Sequence, residues 1–253
     1  RLFDRQGSRI SLTDSGKLLL EHCERILEDY KRLEYEMHLL HNEYTGGLKL
    51  GASTTIAQYV LPPLLASFIG KFPQVNLSLL NGNSREIEAA LQEHRIDLGF
   101  VEGVFRLPNI KYTTFLEDEL VAVVRTGSRL TVGEEITPEE LLHLPLVLRE
   151  RGSGTLDVFE RALQQHNIKL SSLQVLMYLG STESIKLFLE HTDCLGIVSI
   201  RSITRELYSG QLRVVEIKGM PMLRDFSFAQ PQGQESGLAQ VFMQFAMHNN
   251  NKL

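Results

Sequence analysis

The sequence predicts an α/β protein made of two similar halves, each a mainly parallel sheet flanked by helices, preceded by one long coiled-coil helix. Three observations predict it. Apolar residues recur in unbroken four-three steps near the N-terminus, short β-forming runs alternate with helical stretches from Leu48 onward, and that alternation resumes after a long β-rich stretch.

The four-three spacing is carried by Leu19, Cys23, Ile26, Tyr30, Leu33, Met37, Leu40 and Tyr44. Such a repeat keeps one stripe of a helix turned toward a partner, and the positions between, such as Glu21, Arg25 and Asp29, are mostly charged. Thr13 is placed to cap this helix and Gly46-Gly47 to stop it. A sustained 3.5-residue period favours a partner helix over packing on the chain's own core, so the eight residues are the expected dimerisation seam. Leu18, Leu20 and Leu27 lie off the seam and suggest a second contact for the first half of the helix.

Residues 48–51, 75–80 and 96–101 read as strands, with helices over 56–71 and 85–93 between them. Pro62-Pro63 should kink or restart the first of those helices. The rhythm returns with strands at 146–148, 175–179 and 196–199 and helices at 155–166, 182–190 and near 201–208. Between the halves, residues 112–124 are nearly continuous in β-formers, and 212–217 and 224–229 follow the second half; these suit strands that cross between the halves. The amphipathic stretch 238–247 is expected to form a helix seated on the first half.

Composition narrows the functional classes. A chain of 253 residues can bury one large or two modest cores. The net charge is -5, but residues 1–17 carry +2 and the remainder -7, so any nucleic-acid contact is confined to one end. Cys23 and Cys194 form neither a disulfide framework nor a metal-ligand spacing and read as small apolar residues. No apolar run approaches the roughly 20 residues of a membrane span and no signal-peptide core is present, so a cytoplasmic protein is expected.

Turns at the carboxyl ends of parallel strands are where such sheets bind ligands. Four of them are rich in small polar residues: Ser53-Thr54-Thr55, Asn81-Gly82-Asn83-Ser84, Gly152-Ser153-Gly154-Thr155 and Gly180-Ser181-Thr182. Each alone also reads as a helix cap, and Asn83 with Glu86 as a capping box. Four in corresponding places point to a shared cleft for an anion or small ligand. No catalytic constellation is visible: the eight His residues are scattered, and there is no GxGxxG, P-loop or HExxH pattern for a cofactor, phosphate or metal. Glu102, Glu150, Glu117 and Glu119 lie near strand ends and, taken alone, read as solvated or salt-bridged.

One resemblance covers nearly the whole chain. Leu2-Phe3-Asp4-Arg5, Arg9 and Leu12-Thr13-Asp14-Ser15-Gly16 resemble the wing and linker-helix start of LysR-type transcriptional regulators. It continues through Leu61-Pro62-Pro63-Leu64, Phe68, Phe72-Pro73, Ile96-Asp97-Leu98-Gly99-Phe100, Gly196-Ile197-Val198-Ser199, Glu206-Leu207, Gly210 and Leu212, in order and at matching spacing.

The resemblance implies a wing remnant of a winged helix-turn-helix over 1–13 and a dimerisation helix over 14–45. It also implies a periplasmic-binding-protein-like effector domain, with subdomain I over 46–118 and 226–253 and subdomain II over 119–225. The sequence begins at Arg1, within the wing, so promoter readout is not assigned to residues given, and Arg5 and Arg9 are expected at DNA phosphates. The effector is expected against Ser53, Thr54, Thr55, Phe100 and Glu102 from one side. Glu150, Gly152, Ser153, Thr155, Ser181, Thr182 and Ser199 are expected from the other, within a wall running from Arg149 to Thr155. With no Trp in the chain, a small anion fits better than a flat aromatic acid, and a faint similarity to regulators of sulfur metabolism points to sulfur oxyanions. Binding would shift how a homodimer or homotetramer sits on DNA. A transporter's solute-binding component would share the two-lobed body but should carry a signal peptide and has no use for a heptad helix; an enzyme would need a catalytic set.

Overall fold

The computed structural model describes residues 1–6, 9–41, 44–103, 106–130, 133–233 and 237–249. They form two compact units, Arg1–Thr45 and Gly46–Leu253.

In the first unit, β1 (Phe3–Gln6) and β2 (Arg9–Leu12) make an antiparallel hairpin in which Phe3 faces Leu12. The helix α1 (Asp14–His41) follows. Thr13 starts it as the sequence suggests, its hydroxyl accepting from the Gly16 amide at 3.0 Å. The seam residues Leu19, Cys23, Ile26, Tyr30, Leu33 and Met37 are all exposed, Ile26 by 66%. Tyr44 follows the helix half-buried, and the side chains of Arg9 and Leu40 lie outside the described residues. The described helix stops at His41, short of the expected 45, and residues 42 and 43 are likewise outside the description.

The second unit opens with β3 (Gly46–Ser53), α2 (Thr54–Tyr59), α3 (Leu61–Lys71), β4 (Val75–Gly82), α4 (Ser84–Gln92), β5 (Leu98–Glu102) and the long β6 (Ile110–Arg125). It continues through β7 (Glu135–Ile136), β8 (Pro145–Arg149), α5 (Gly154–Gln165), β9 (Gln174–Leu179), α6 (Thr182–His191) and β10 (Leu195–Ser199). It ends with α7 (Thr204–Tyr208), β11 (Leu212–Ile217), β12 (Leu223–Pro231) and α8 (Gly237–Asn249).

The sheet runs β4-β3-β5-β12-β6-β10-β8-β9, with β11 on β6 and β7 on β11. β3 pairs in parallel with β4 and β5, and β8 with β9 and β10, giving the two parallel sets the sequence predicts. β6 joins them: its first part pairs antiparallel with β12 and its last residues with β10 and β11. One strand is therefore shared by both halves, and β12 returns alongside it.

Each half keeps its own core. In the second, Leu146 and Leu148 of β8 and Ile197 of β10 pack on Phe159 and Leu163 of α5. In the first, Phe242 of α8 stacks on Phe68 of α3 with ring centres 4.8 Å apart and lies 5.9 Å from Phe100, so α8 sits where its amphipathic pattern predicts. The stretch expected as one helix over 56–71 is two, broken at Val60, with Pro62 and Pro63 in the first turn of α3 where a missing N–H costs no helical bond. Residues 200–202 likewise form a separate 3-10 turn before α7.

Candidate functional site

The turn Ser53-Thr54-Thr55, where β3 gives way to α2, meets two buried arginines through neighbouring side chains. Thr54 donates its hydroxyl to the Gly82 carbonyl at 3.2 Å and accepts from Arg149 Nη2 at 3.4 Å. Arg149 ends β8 in the opposite half, and its side chain is only 1% exposed. The same guanidinium holds Glu150 through two bonds of 2.9 and 3.0 Å and reaches Thr182 Oγ1 at 3.5 Å and the Gly180 carbonyl at 3.4 Å.

Thr55 turns to a second cluster, donating to Glu102 Oε1 at 3.3 Å. Glu102 pairs with Arg224 of β12 at 3.1 Å, and Arg224 Nε donates to Asp118 of β6 at 2.7 Å. Arg224 also donates to Thr155 Oγ1 at 3.0 Å, and Ser199 to Asp118 at 2.6 Å. A single guanidinium on one crossing strand thus gathers groups from both halves and from the other crossing strand.

Burying a guanidinium is costly unless charge and hydrogen bonds compensate. Arg224 has two fully buried carboxylates. Arg149 has one, Glu150, itself 26% exposed, and its remaining contacts sit at the outer limit of hydrogen bonding. Arg149 is therefore the arginine with capacity left for an anion. Ser53, one residue before Thr54, is buried with its hydroxyl unpartnered among the described residues.

The expected site residues divide between these clusters: Thr54, Glu150 and Thr182 around Arg149, and Thr55, Glu102, Thr155 and Ser199 around Arg224. Ser153 accepts from the Thr155 amide at the start of α5, and Ser181 from the Ser184 amide at the start of α6, so both cap helices. Gly152 has φ +91°, a conformation suited to glycine, and its carbonyl accepts from the Arg85 amide of the opposite half. Asn83 and Glu86 form the capping box read from the sequence.

Phe100 is a correction: its ring is fully buried 5.1 Å from Phe228, inside the aromatic core. Alternation along β5 turns it to the face opposite Val101, where the rings of Phe115, Phe228 and Phe242 enclose it. Glu102, read from the sequence as solvated or salt-bridged, is the latter, an ion-pair partner of Arg224 inside the crossing-strand cluster.

Arg224, Asp118 and Tyr59 went unnoticed in the sequence. The signal that could have found the first two is burial by strand alternation, which puts Asp118 on the face opposite Glu117 and Glu119 and Arg224 on the face opposite Leu223, since charged residues are buried only when paired. Tyr59, at the end of α2, donates its hydroxyl to Glu183 of α6. Glu183 also takes Lys186 at 2.7 Å, and Lys186 reaches Glu206 at 2.8 Å. Burial, then the Glu183 carboxylate, pushes the Tyr59 phenol far above its usual range. Burial alone would raise Glu183, but hydrogen bonds from Lys186 and Tyr59 outweigh it and hold the carboxyl below the usual range. A neutral phenol bound to a carboxylate thus spans the gap between α2 and α6 at neutral pH.

Among the described residues no group of three or more His, Cys, Asp or Glu is placed to hold a metal ion, and no helix is long and apolar enough to cross a membrane.

Two parallel-sheet halves joined by crossing strands, with polar turns converging between them, define a small-molecule-binding body of the periplasmic-binding-protein kind. Residues 41–250 match the LysR substrate binding domain family. The chain is 35% identical over 217 residues to the uncharacterized HTH-type transcriptional regulator YeiE of Escherichia coli strain K12, covering 86% of this chain and 71% of that protein. It is 30% identical over 245 residues to the RuBisCO operon transcriptional regulator of Acidithiobacillus ferrooxidans, covering 96% and 78%. The regulatory domain of Synechocystis PCC6803 CcmR in complex with 2-PG superposes with a TM-score of 0.73 at 27% identity, over 81% of this chain and 97% of that one. The chain belongs to the LysR family of transcriptional regulators. It is an effector-responsive regulator.

Proposed function

We propose that the effector is a small oxyanion held between the halves by Arg149, Ser53 and Thr54, with Thr182 on the far side, and that it acts on a homo-oligomer bound to promoter DNA in the cytoplasm. The observation that carries this is Arg149: a buried cation reaching from one half to a hydroxyl of the other, with one partly exposed carboxylate as its partner. An anion there replaces the loose contacts with charge-assisted bonds, which are shorter and stronger than neutral ones. It does so only while the halves are close, so binding favours the closed arrangement of lobes 46–118 with 226–253 and 119–225. The Tyr59–Glu183 contact bridges the same gap and favours the same arrangement.

The assembly reading is supported by the exposed seam of α1 and by apolar residues at both open edges of the sheet, Leu79 and Leu80 on β4 and Met177 and Tyr178 on β9. Exposed Arg5 on the β1–β2 hairpin, with Arg9 of β2, is the expected phosphate contact. In this reading the oxyanion is bound and released unchanged.

A thermal-shift panel of sulfate, sulfite, thiosulfate, phosphate and chloride tests the ligand class. A bound oxyanion at 100 times its Kd should add about 2.7 kcal/mol of stability, with chloride inert. Sulfur oxyanions are expected to lead. No response to any oxyanion overturns the reading.

A further inference from the structure

A cavity of about 620 Å³ opens on the crossing strands, where Glu117 and Glu119 of β6 lie near Leu223 and Asp225 of β12. It is separate from the Arg149 cluster, since none of Ser53, Thr54, Arg149 and Thr182 lines it. Along both strands burial alternates: Glu117, Glu119 and Leu223 are exposed, while Asp118 and Arg224 between them are buried against Glu102, Thr155 and Ser199. The cavity therefore stands on the buried ion cluster that ties the two halves together.

Its charges are balanced. Four arginines and four carboxylates line it. A simple anion or cation gains from one set and loses to the other; a ligand with separated charges of both signs can set each end against its opposite. Several of these groups have capacity to spare. The side chains of Arg161, Glu117 and Glu119 make no hydrogen bond or ion pair among the described residues. Arg224 is already committed, Nε and Nη1 to hydrogen bonds and Nη2 to ion pairs with Glu102 and Asp118 at 3.1 and 2.7 Å, so it forms the floor of the cavity and leaves the ligand to the exposed groups. Leu223 and Ile200 add an apolar wall.

We propose that this cavity is a second ligand site, for a zwitterion of the α-amino acid class. The carboxylate lies toward Arg161 and Arg201, the ammonium toward Glu117 and Glu119, and a short side chain against Leu223. Occupancy is felt by both halves through Arg224 and Asp118, so an amino acid bound here modulates the domain from outside the oxyanion cleft.

The common L-amino acids, each titrated singly into the purified chain by calorimetry with melting temperature followed in parallel, test this. At least one should bind and raise the melting temperature. Arg161→Ala and Glu117→Gln, both at exposed side chains, should each weaken that binding roughly tenfold or more, the effect of losing a hydrogen bond between charged groups. The N-acetyl derivative, which lacks the ammonium, and the decarboxylated amine should lose affinity to a similar degree. Binding of none of the amino acids, equal binding by parent and both variants, or full affinity of the N-acetyl form would overturn the proposal. Sulfate titrated into Arg161→Ala should behave as with the parent, so failure here is distinguishable from failure of the oxyanion reading.

Discussion

Thr54 and Ser153 look alike in the sequence, hydroxyl residues at the start of a helix, and the fold gives them different work. Ser153 caps α5, whereas Thr54 makes no capping bond and instead meets Arg149 from the opposite half. Ser153→Ala should therefore lower stability by about 1 kcal/mol and leave oxyanion affinity unchanged. Thr54→Ala should weaken oxyanion binding by about 1.5 to 3 kcal/mol, the range for hydrogen bonds to charged groups, with a smaller effect on stability. Calorimetric titration beside denaturant unfolding separates the two. The thiols diverge in the same way: burial, then neighbouring Asp193, pushes Cys194 up to about 11, while Cys23 is exposed on α1. A raised thiol stays protonated until the pH nears its pKa, so at neutral pH a thiol-alkylating reagent should label Cys23 and spare Cys194 by mass spectrometry. The hydroxyl-rich turns were legible because Ser, Thr and Gly cluster there; Arg224 and Asp118 were not, because each sits in a strand whose pattern reveals burial and says nothing of an ion partner a hundred residues away.

Elements were legible where periodicity is long. The heptad helix, the crossing strands and α8 all lie where apolar spacing puts them, because each buries or presents a continuous stripe. The two-residue β7 and the 3-10 turns at 140–143 and 170–172 were invisible, being too short to show a period. The break between α2 and α3 was foreseen only as a proline kink; its consequence was not, since ending α2 at Tyr59 sets that hydroxyl against Glu183. For α1, six seam side chains exposed in a single chain leave a stripe of apolar surface that a second helix would cover. Leu33→Asp puts a charge into that stripe, at a cost of several kcal/mol where the seam is dry. Sedimentation should then show monomers or a much weaker dimer. An unchanged assembly would assign the main contact to the sheet edges.

Across the whole molecule, the residues that tie the halves together are also those proposed to read the ligand. Thr54 with Arg149, Thr55 with Glu102 and Arg224, and Tyr59 with Glu183 all lie within one seven-residue stretch that ends β3 and forms α2. A ligand that inserts at Arg149 therefore biases the same contacts that set the spacing of the halves, which is the differential affinity a population shift requires. The two-halved architecture was readable from the returning rhythm of strands and helices, whereas the ion pairs that couple the halves emerge only when distant strands are brought side by side. The measurement that tests the central claim most directly is calorimetric titration of the leading oxyanion into the parent chain and into Arg149→Gln, with folding of both verified by circular dichroism. The parent should bind one oxyanion per chain, and Arg149→Gln should lose at least tenfold in affinity while remaining folded. Equal affinity in the two folded proteins would contradict the claim and place the effector away from Arg149.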